Sequence, residues 1–241
     1  MEREAILAKL NRAYFSENPH EKAILEHLGE LLAEAKLFVD IGASLGQYTF
    51  YASRILENGQ IVAIEADPLR YEQLAHNCEQ WQTASGNKIT AIRAAVAESA
   101  GEISFFTTDS DVSGGLFAHP TSAPGVSWRE LRVPCLCLDD RFAGQVPDLV
   151  KIDVEGAEGR VLAGARRLLA ENHTQWLVEL HGWDDGAGHG GAEAIYRLFD
   201  QLGYRNADFH GADLFTRRPT PALARLRGRL RRLARRLRHA L

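Results

Sequence analysis

The chain is short of the features that would mark an exported, fibrous or membrane-spanning protein. Its 241 residues include three cysteines, Cys78, Cys135 and Cys137, too few for a disulfide framework. The C-x-C of the last two has no second pair to complete a zinc site. No run reaches the ~18 apolar residues of a membrane-crossing helix. The opening MEREAILAKL carries charges where a secretory leader needs an apolar stretch. These absences lead us to expect a cytoplasmic protein in a reducing compartment. A composition 45% hydrophobic and 25% charged excludes a disordered chain, and the length suits one core with appendages.

Acid is missing from one place. Residues 222–241 hold eight arginines and no Asp or Glu, which leaves 20 basic against 32 acidic side chains elsewhere, a net of −12 on the body. Pro219-Thr220-Pro221 interrupts the fold. Leu223, Leu226, Leu230, Leu233, Leu237 and Leu241 then recur at helical spacing, with arginine at most other positions and Gly228 as the one weak point. An amphipathic helix of this kind docks on its own domain, on a second subunit in a homo-oligomer, or on an anionic membrane, and we favour the membrane. Nucleic acid is disfavoured, because the body contains no recognisable nucleic-acid-binding module.

The body alternates between two textures. Asn18-Pro19-His20-Glu21 supplies an N-cap, a proline at the first helical position and a carboxylate at the third; Ile24, Leu25, Leu28, Leu31 and Leu32 follow at helical spacing. Residues 1–36 are therefore read as an N-terminal helical segment. Leu37–Ile41, Ile61–Glu65, Lys88–Val96, Asp148–Asp153 and Trp176–Leu180 read as strands, with helical patterns at 46–57, 68–82, 157–171 and 191–202. Strands alternating with helices indicate parallel pairing, since a parallel connection needs a crossover. Glu102–Thr107 and Arg132–Leu138 read as further strands around a long Ser/Gly/Pro-rich loop. Tyr204–Phe209 and Asp213–Arg217 read as an antiparallel hairpin. The expectation is one α/β domain over 37–218 and a basic amphipathic helical tail over 219–241.

In open parallel sheets, ligands bind beyond the carboxyl ends of the strands where the strand order reverses. The first strand ends in Asp40-Ile41-Gly42-Ala43-Ser44-Leu45-Gly46-Gln47-Tyr48, and Glu65 ends the second, 25 residues after Asp40. That interval suits a carboxylate receiving the two hydroxyls of an adenosine ribose. A dinucleotide would put its pyrophosphate beside Asp40, and two like charges ~4 Å apart repel by about 4 kcal/mol at an effective dielectric of ~20. S-adenosylmethionine carries a sulfonium and an ammonium instead, so it is favoured over the nicotinamide cofactor of an oxidoreductase. A catalytically silent membrane-docking module is the remaining alternative. The intact acids at 40, 65 and 153 count against it.

The segments VDIGASLGQYTFYAS (39–53), IVAIEADPLRYEQLAHN (61–77), SGGL (113–116), VPCLCLDD (133–140), DLVKIDVEGAEGRVLAGA (148–165) and LVELH (177–181) occur in order. Together they resemble the FkbM-type S-adenosylmethionine-dependent methyltransferases over residues 37–216, KIDVEGAE being the most specific piece. The resemblance implies a Rossmann-like class I methyltransferase sheet of seven strands with an antiparallel hairpin at its C-terminal end. It also implies that Asp40, Gly42 and Gly46, with Ala43, Ser44 and Tyr48 of the same segment, surround the methionine part of the cofactor. Glu65 would hold the ribose, Ala66 and Asp67 would lie beside the adenosine, Ala95 near the adenine, and Asp153 at the cofactor's edge. Ser44 stands where many methyltransferases have glycine, Ala66 replaces a frequent proline, and Arg93-Ala94-Ala95 lacks the acid that many relatives aim at the adenine amino group. The acceptor the family implies is a hydroxyl on a sugar, glycolipid or secondary metabolite.

Methyl transfer is an in-line displacement that also needs a proton removed from the acceptor hydroxyl. Glu179 and His181 point to one side of a strand end, and histidine titrates nearest neutrality. We therefore expect His181 as general base, with Asp153 or Glu179 orienting it. No metal is expected, although Asp153, Glu179 and His181 could clamp a divalent ion on a sugar diol. Glu155 and Glu158 read as favouring a helix N-terminus. Lys151, inside an apolar strand, needs a buried partner. Residues 107–131 and the glycine-rich 182–191 read as loops shaping the acceptor site.

Overall fold

The computed structural model describes residues 28–108, 114–116, 128–171, 173–181, 191–209 and 212–217. The helix start at Asn18, most of both acceptor loops, the hairpin turn at His210-Gly211 and the basic tail lie outside the described residues. The strands are β1 (Leu37–Ile41), β2 (Gln60–Glu65), β3 (Lys88–Arg93), β4 (Ala95–Val96), β5 (Gly101–Thr108), β6 (Trp128–Leu136), β7 (Leu149–Ile152), β8 (Gln175–Glu179), β9 (Arg205–Phe209) and β10 (Ala212–Thr216). The helices are α1 (Gln47–Ile55), α2 (Pro68–Ser85), α3 (Leu138–Arg141), α4 (Glu158–Ala163), α5 (Arg166–Glu171) and α6 (Ala192–Gln201).

Seven strands form one sheet in the order β3-β2-β1-β7-β8-β10-β9. Five are parallel, and β10 enters antiparallel to both β8 and β9. This is the Rossmann-like arrangement with a terminal hairpin. Both faces are covered, which is why the parallel strands read as unbroken apolar runs. Phe38, Ala63, Leu149 and Leu177 face one core with residues 28–32, α1 and α2; Val39, Ile41, Val150 and Val178 face the other with α4 to α6. The chain order reverses between β1 and β7, so that pair is the switch point at which a ligand crevice opens.

Three expected elements differ. The run Lys88–Val96 divides at Ala94, whose N–H bonds the Glu65 carbonyl at 3.0 Å; beyond it the chain leaves β2 and joins β6 as β4 of a separate three-stranded sheet, β4-β6-β5. Leu138 starts α3 rather than ending a strand. The helical pattern 157–171 breaks into α4 and α5 at Gly164, where a Cβ would stand 2.2 Å from the Ala97 carbonyl oxygen. The break lets the chain press against the end of β4. No helix among the described residues is long and apolar enough to cross a membrane.

Gly164→Ala is expected to destabilise the domain by about 2–3 kcal/mol, because the obstacle is backbone and cannot rotate away. A urea-denaturation midpoint unchanged from the parent would contradict this packing.

Candidate active site

A pocket opens over the carboxyl ends of β1, β2 and β7, where ligands of open parallel sheets bind. Gly42, Ser44, Glu65, Ala66, Ala95 and Asp153 of the sequence-derived set line it, joined by Arg70, Phe105, Leu116 and Glu155. Asp40, Ala43, Gly46, Tyr48 and Asp67 do not reach the wall.

The glycine loop owes its composition to protein packing as much as to ligand access. Gly42 has φ +76°, and a Cβ there would lie 1.7 Å from the Asp153 carbonyl oxygen. Gly46 has φ +96° and opens α1; its Cβ would strike Leu74 and Trp81 at 2.8 Å. Between them Ser44 sits at φ 51°, a left-handed position that favours glycine. Its N–H donates to Glu65 Oε2 at 2.7 Å, and Arg70 Nη1 donates to its hydroxyl at 2.8 Å. Glu65 Oε1 accepts from the Asp67 N–H at 2.8 Å. The carboxylate is thus fixed by two backbone donors at the pocket wall. Burial pushes its pKa up against those two hydrogen bonds.

Two residues expected to touch the cofactor have structural work behind the wall. Asp67 caps α2 by accepting from the Leu69 and Arg70 N–H groups, and its other oxygen takes the buried Thr107 hydroxyl, which ties α2 to β5. Tyr48 presents its ring to Lys151 Nζ, 4.2 Å from the centroid. Asp40 is fully buried, with Oδ2 accepting from the Thr49 hydroxyl at 2.7 Å and Oδ1 meeting no donor among the described residues.

The second sheet supplies the apolar end. Ala95 and Phe105 line it with Leu116, and the Gly115 and Phe106 backbones exchange hydrogen bonds of 2.8 and 2.9 Å that pin 114–116 onto β5. A Cβ on Gly114 would meet the Phe105 ring at 2.7 Å. The Ser-Gly-Gly-Leu stretch was visible in the sequence; Phe105 and Arg70 were not, because only the folded sheet and α2 bring them to the wall.

A charged cluster adjoins the pocket at Asp153. Lys151 is 3% exposed and donates to Asp153 Oδ2 at 3.0 Å, which is the buried partner its position required. Burial works against its charge, but Asp153 and Asp40 hold its pKa above the ordinary lysine value. His181 Nδ1 lies 2.9 Å from Glu158 Oε1; Nε2 lies 3.4 Å from Glu155 Oε2 and 3.8 Å from Asp153 Oδ1. Burial disfavours the imidazolium, yet Glu158, Glu155 and Asp153 override it and push His181 up to about 9. The sequence reading has His181 as general base with Asp153 or Glu179 orienting it; the surrounding carboxylates favour its protonated form. The group that orients it is Glu158, a buried side chain that also accepts from the Gly156 N–H at 2.9 Å, rather than a mere helix-terminal acid. Glu179 is raised as well, first by burial and then by Asp153. Glu155 (φ 52°) and Gly156 (φ 98°) are consecutive left-handed residues, a strained turn that holds Glu155 at the pocket.

The family model described as the methyltransferase FkbM domain matches residues 40–206. The chain belongs to this family. Within this FkbM domain the match begins at Asp40 and spans the glycine loop, the pocket and the charged cluster. A hexuronic acid methyltransferase, AglP, of Haloferax volcanii is 27% identical over 168 residues, 68% of this chain and 64% of that protein. The crystal structure of a methyltransferase FkbM from Methylobacillus flagellatus superposes with a TM-score of 0.50 at 17% identity, over 75% of this chain and 43% of that one. The latter shows a shared fold. The chain thus spans less than two thirds of either relative.

Gly42→Ala is expected to cost about 3 kcal/mol or more, since it combines a left-handed φ with a backbone clash. Equilibrium unfolding checks this; a loss under about 1 kcal/mol would mean that the loop and the β7 end are not held in contact.

Proposed function

We propose that the FkbM domain is an S-adenosylmethionine-dependent O-methyltransferase whose acceptor is a hydroxyl on a sugar, glycolipid or secondary metabolite. The observation that carries the reading is Glu65: a carboxylate locked by the Ser44 and Asp67 N–H groups at the wall of a pocket over the switch point, with lone pairs left for a ribose diol. The residues present fit the cofactor. Gly42 and Ser44 form the near wall, Ala95, Phe105 and Leu116 give an apolar slot for a purine, and the buried Asp40, whose Oδ1 meets no donor among the described residues, opposes a pyrophosphate on the loop. The saccharide acceptor draws support from the hexuronic acid methyltransferase to which the chain is similar.

When bound, S-adenosylmethionine supplies an electrophilic methyl group on a sulfonium. The chain's own part is positional and electrostatic. The acceptor oxygen would be held at the Asp153 edge of the pocket, and the carboxylates of the cluster would take up the proton it gives up. Glu158 holds His181, and His181 with Lys151 offsets part of the negative charge. The arginine-rich sequence of 222–241 supports docking of a cytoplasmic enzyme on an anionic membrane, which suits a lipid-linked saccharide.

Calorimetric titration with S-adenosylhomocysteine, with NAD as control, tests the cofactor. S-adenosylhomocysteine alone should bind, and Glu65→Ala should weaken it by about 2–3 kcal/mol, a 30- to 150-fold loss. Binding of NAD instead would overturn the reading. For the tail, a chain truncated before Pro219 should no longer pellet with vesicles of anionic lipid; undiminished pelleting would remove the membrane role.

A further inference from the structure

We propose that Asp153, Glu179 and His181 form a binding site for one divalent first-row metal ion, of the Mn²⁺ class, placed where the acceptor hydroxyl meets the pocket. One donor atom from each of the three residues lies within 4.8 Å of the other two. Donors across a cation with bonds of about 2.0–2.2 Å stand up to about 4.4 Å apart, so side-chain rotation closes the set. The imidazole favours a first-row ion over Mg²⁺ or Ca²⁺, which take oxygen shells, and the two carboxylates point within that row to Mn²⁺, which suits oxygen donors.

The histidine carries the argument beyond a group of acids. A metal-ligating histidine usually donates its second ring N–H to a carboxylate, which fixes the tautomer and turns the other nitrogen toward the ion. Glu158 is that carboxylate: buried, itself held by the Gly156 N–H, and 2.9 Å from Nδ1. Nε2 then faces Asp153 Oδ1 at 3.8 Å and the pocket-lining Glu155 Oε2 at 3.4 Å, on the side away from Glu158. Lys151 engages the other oxygen of Asp153, so Oδ1 is the one available. Four carboxylates, Asp153, Glu155, Glu158 and Glu179, thus gather around Lys151 and His181, so acids outnumber bases in the cluster. Asp153 also lines the cofactor pocket, so an ion on it would lie at the pocket's edge and could polarise a bound hydroxyl. The assignment of the ion to the acceptor rests on the methyltransferase reading; the ion's binding does not.

The test is titration of the metal-stripped full chain with Mn²⁺, read by loss of the free-ion electron paramagnetic resonance signal, with S-adenosylhomocysteine binding measured on the same samples. One Mn²⁺ per chain is expected. His181→Ala and the isosteric Glu179→Gln should each weaken it at least tenfold, and Glu158→Gln by about tenfold through His181, while S-adenosylhomocysteine binding persists. Glu179→Gln keeps the test decisive should the histidine variant misfold. Absence of Mn²⁺ binding in a parent chain that binds S-adenosylhomocysteine would overturn the site and leave the His181 imidazolium as the cluster's counter-ion. So would Mn²⁺ binding undiminished in Glu179→Gln. Mn²⁺ binding without S-adenosylhomocysteine binding would uphold the site and overturn the cofactor reading instead.

Discussion

The contact between Gly42 and the Asp153 carbonyl sets the geometry on which the rest of the site depends. At the switch point the loop leaving β1 must pass over the end of β7, and it passes so closely that no Cβ fits between them. That closeness is what brings the Ser44 N–H to Glu65 on one side and holds the Asp153 edge on the other. A wider spacing would separate the Glu65 carboxylate from the charged cluster and leave two unrelated features. Gly46 repeats the device one turn later against Leu74 and Trp81, seating α1 on α2. The two glycines therefore serve mainly to bring protein against protein, and the pocket is the space this packing leaves.

The electrostatics follow from the same sheet. Asp40 and Lys151 are register partners on β1 and β7, and Lys151 and Asp153 point the same way along β7. A buried ammonium is costly alone, and here it is shared between a strand-end acid on each side of the switch point and the Tyr48 ring. Beyond it, Glu155, Glu158 and Glu179 gather around His181. Acids outnumber bases in the cluster, and that excess is the feature that an electrophilic methyl donor, an acceptor hydroxyl and a divalent ion would each exploit.

Much of the frame was legible from the residues. β1, β2, β7 and β8 are buried on both faces, so their apolar runs could hardly be read otherwise, and the hairpin of β9 and β10 showed in its turn residues. Boundaries set by long-range contact were not legible. The run ending at Val96 splits because Ala94 still bonds Glu65 while Val96 pairs with Leu136, a partner forty residues on. The helix at 158–171 breaks because Gly164 meets Ala97. Neither partner is a neighbour in sequence. Asp67 is a similar case: its place after Glu65 suggested a ligand contact, whereas the proline after it and the distant Thr107 made it a cap and a tie.

The sequence by itself determined the parallel α/β sheet, the loop at Gly42–Gly46, Glu65 at its interval, and the set of acids and the histidine at the ends of β7 and β8, because strand periodicity and turn chemistry are local. Only the tertiary structure decided what those groups do to one another. It set His181 against Glu158, found Lys151 its partners, and brought Arg70 and Phe105 to the wall. These outcomes depend on distances of a few ångströms between residues far apart in the chain, and charge coupling and hydrogen bonding are set by those distances rather than by residue type.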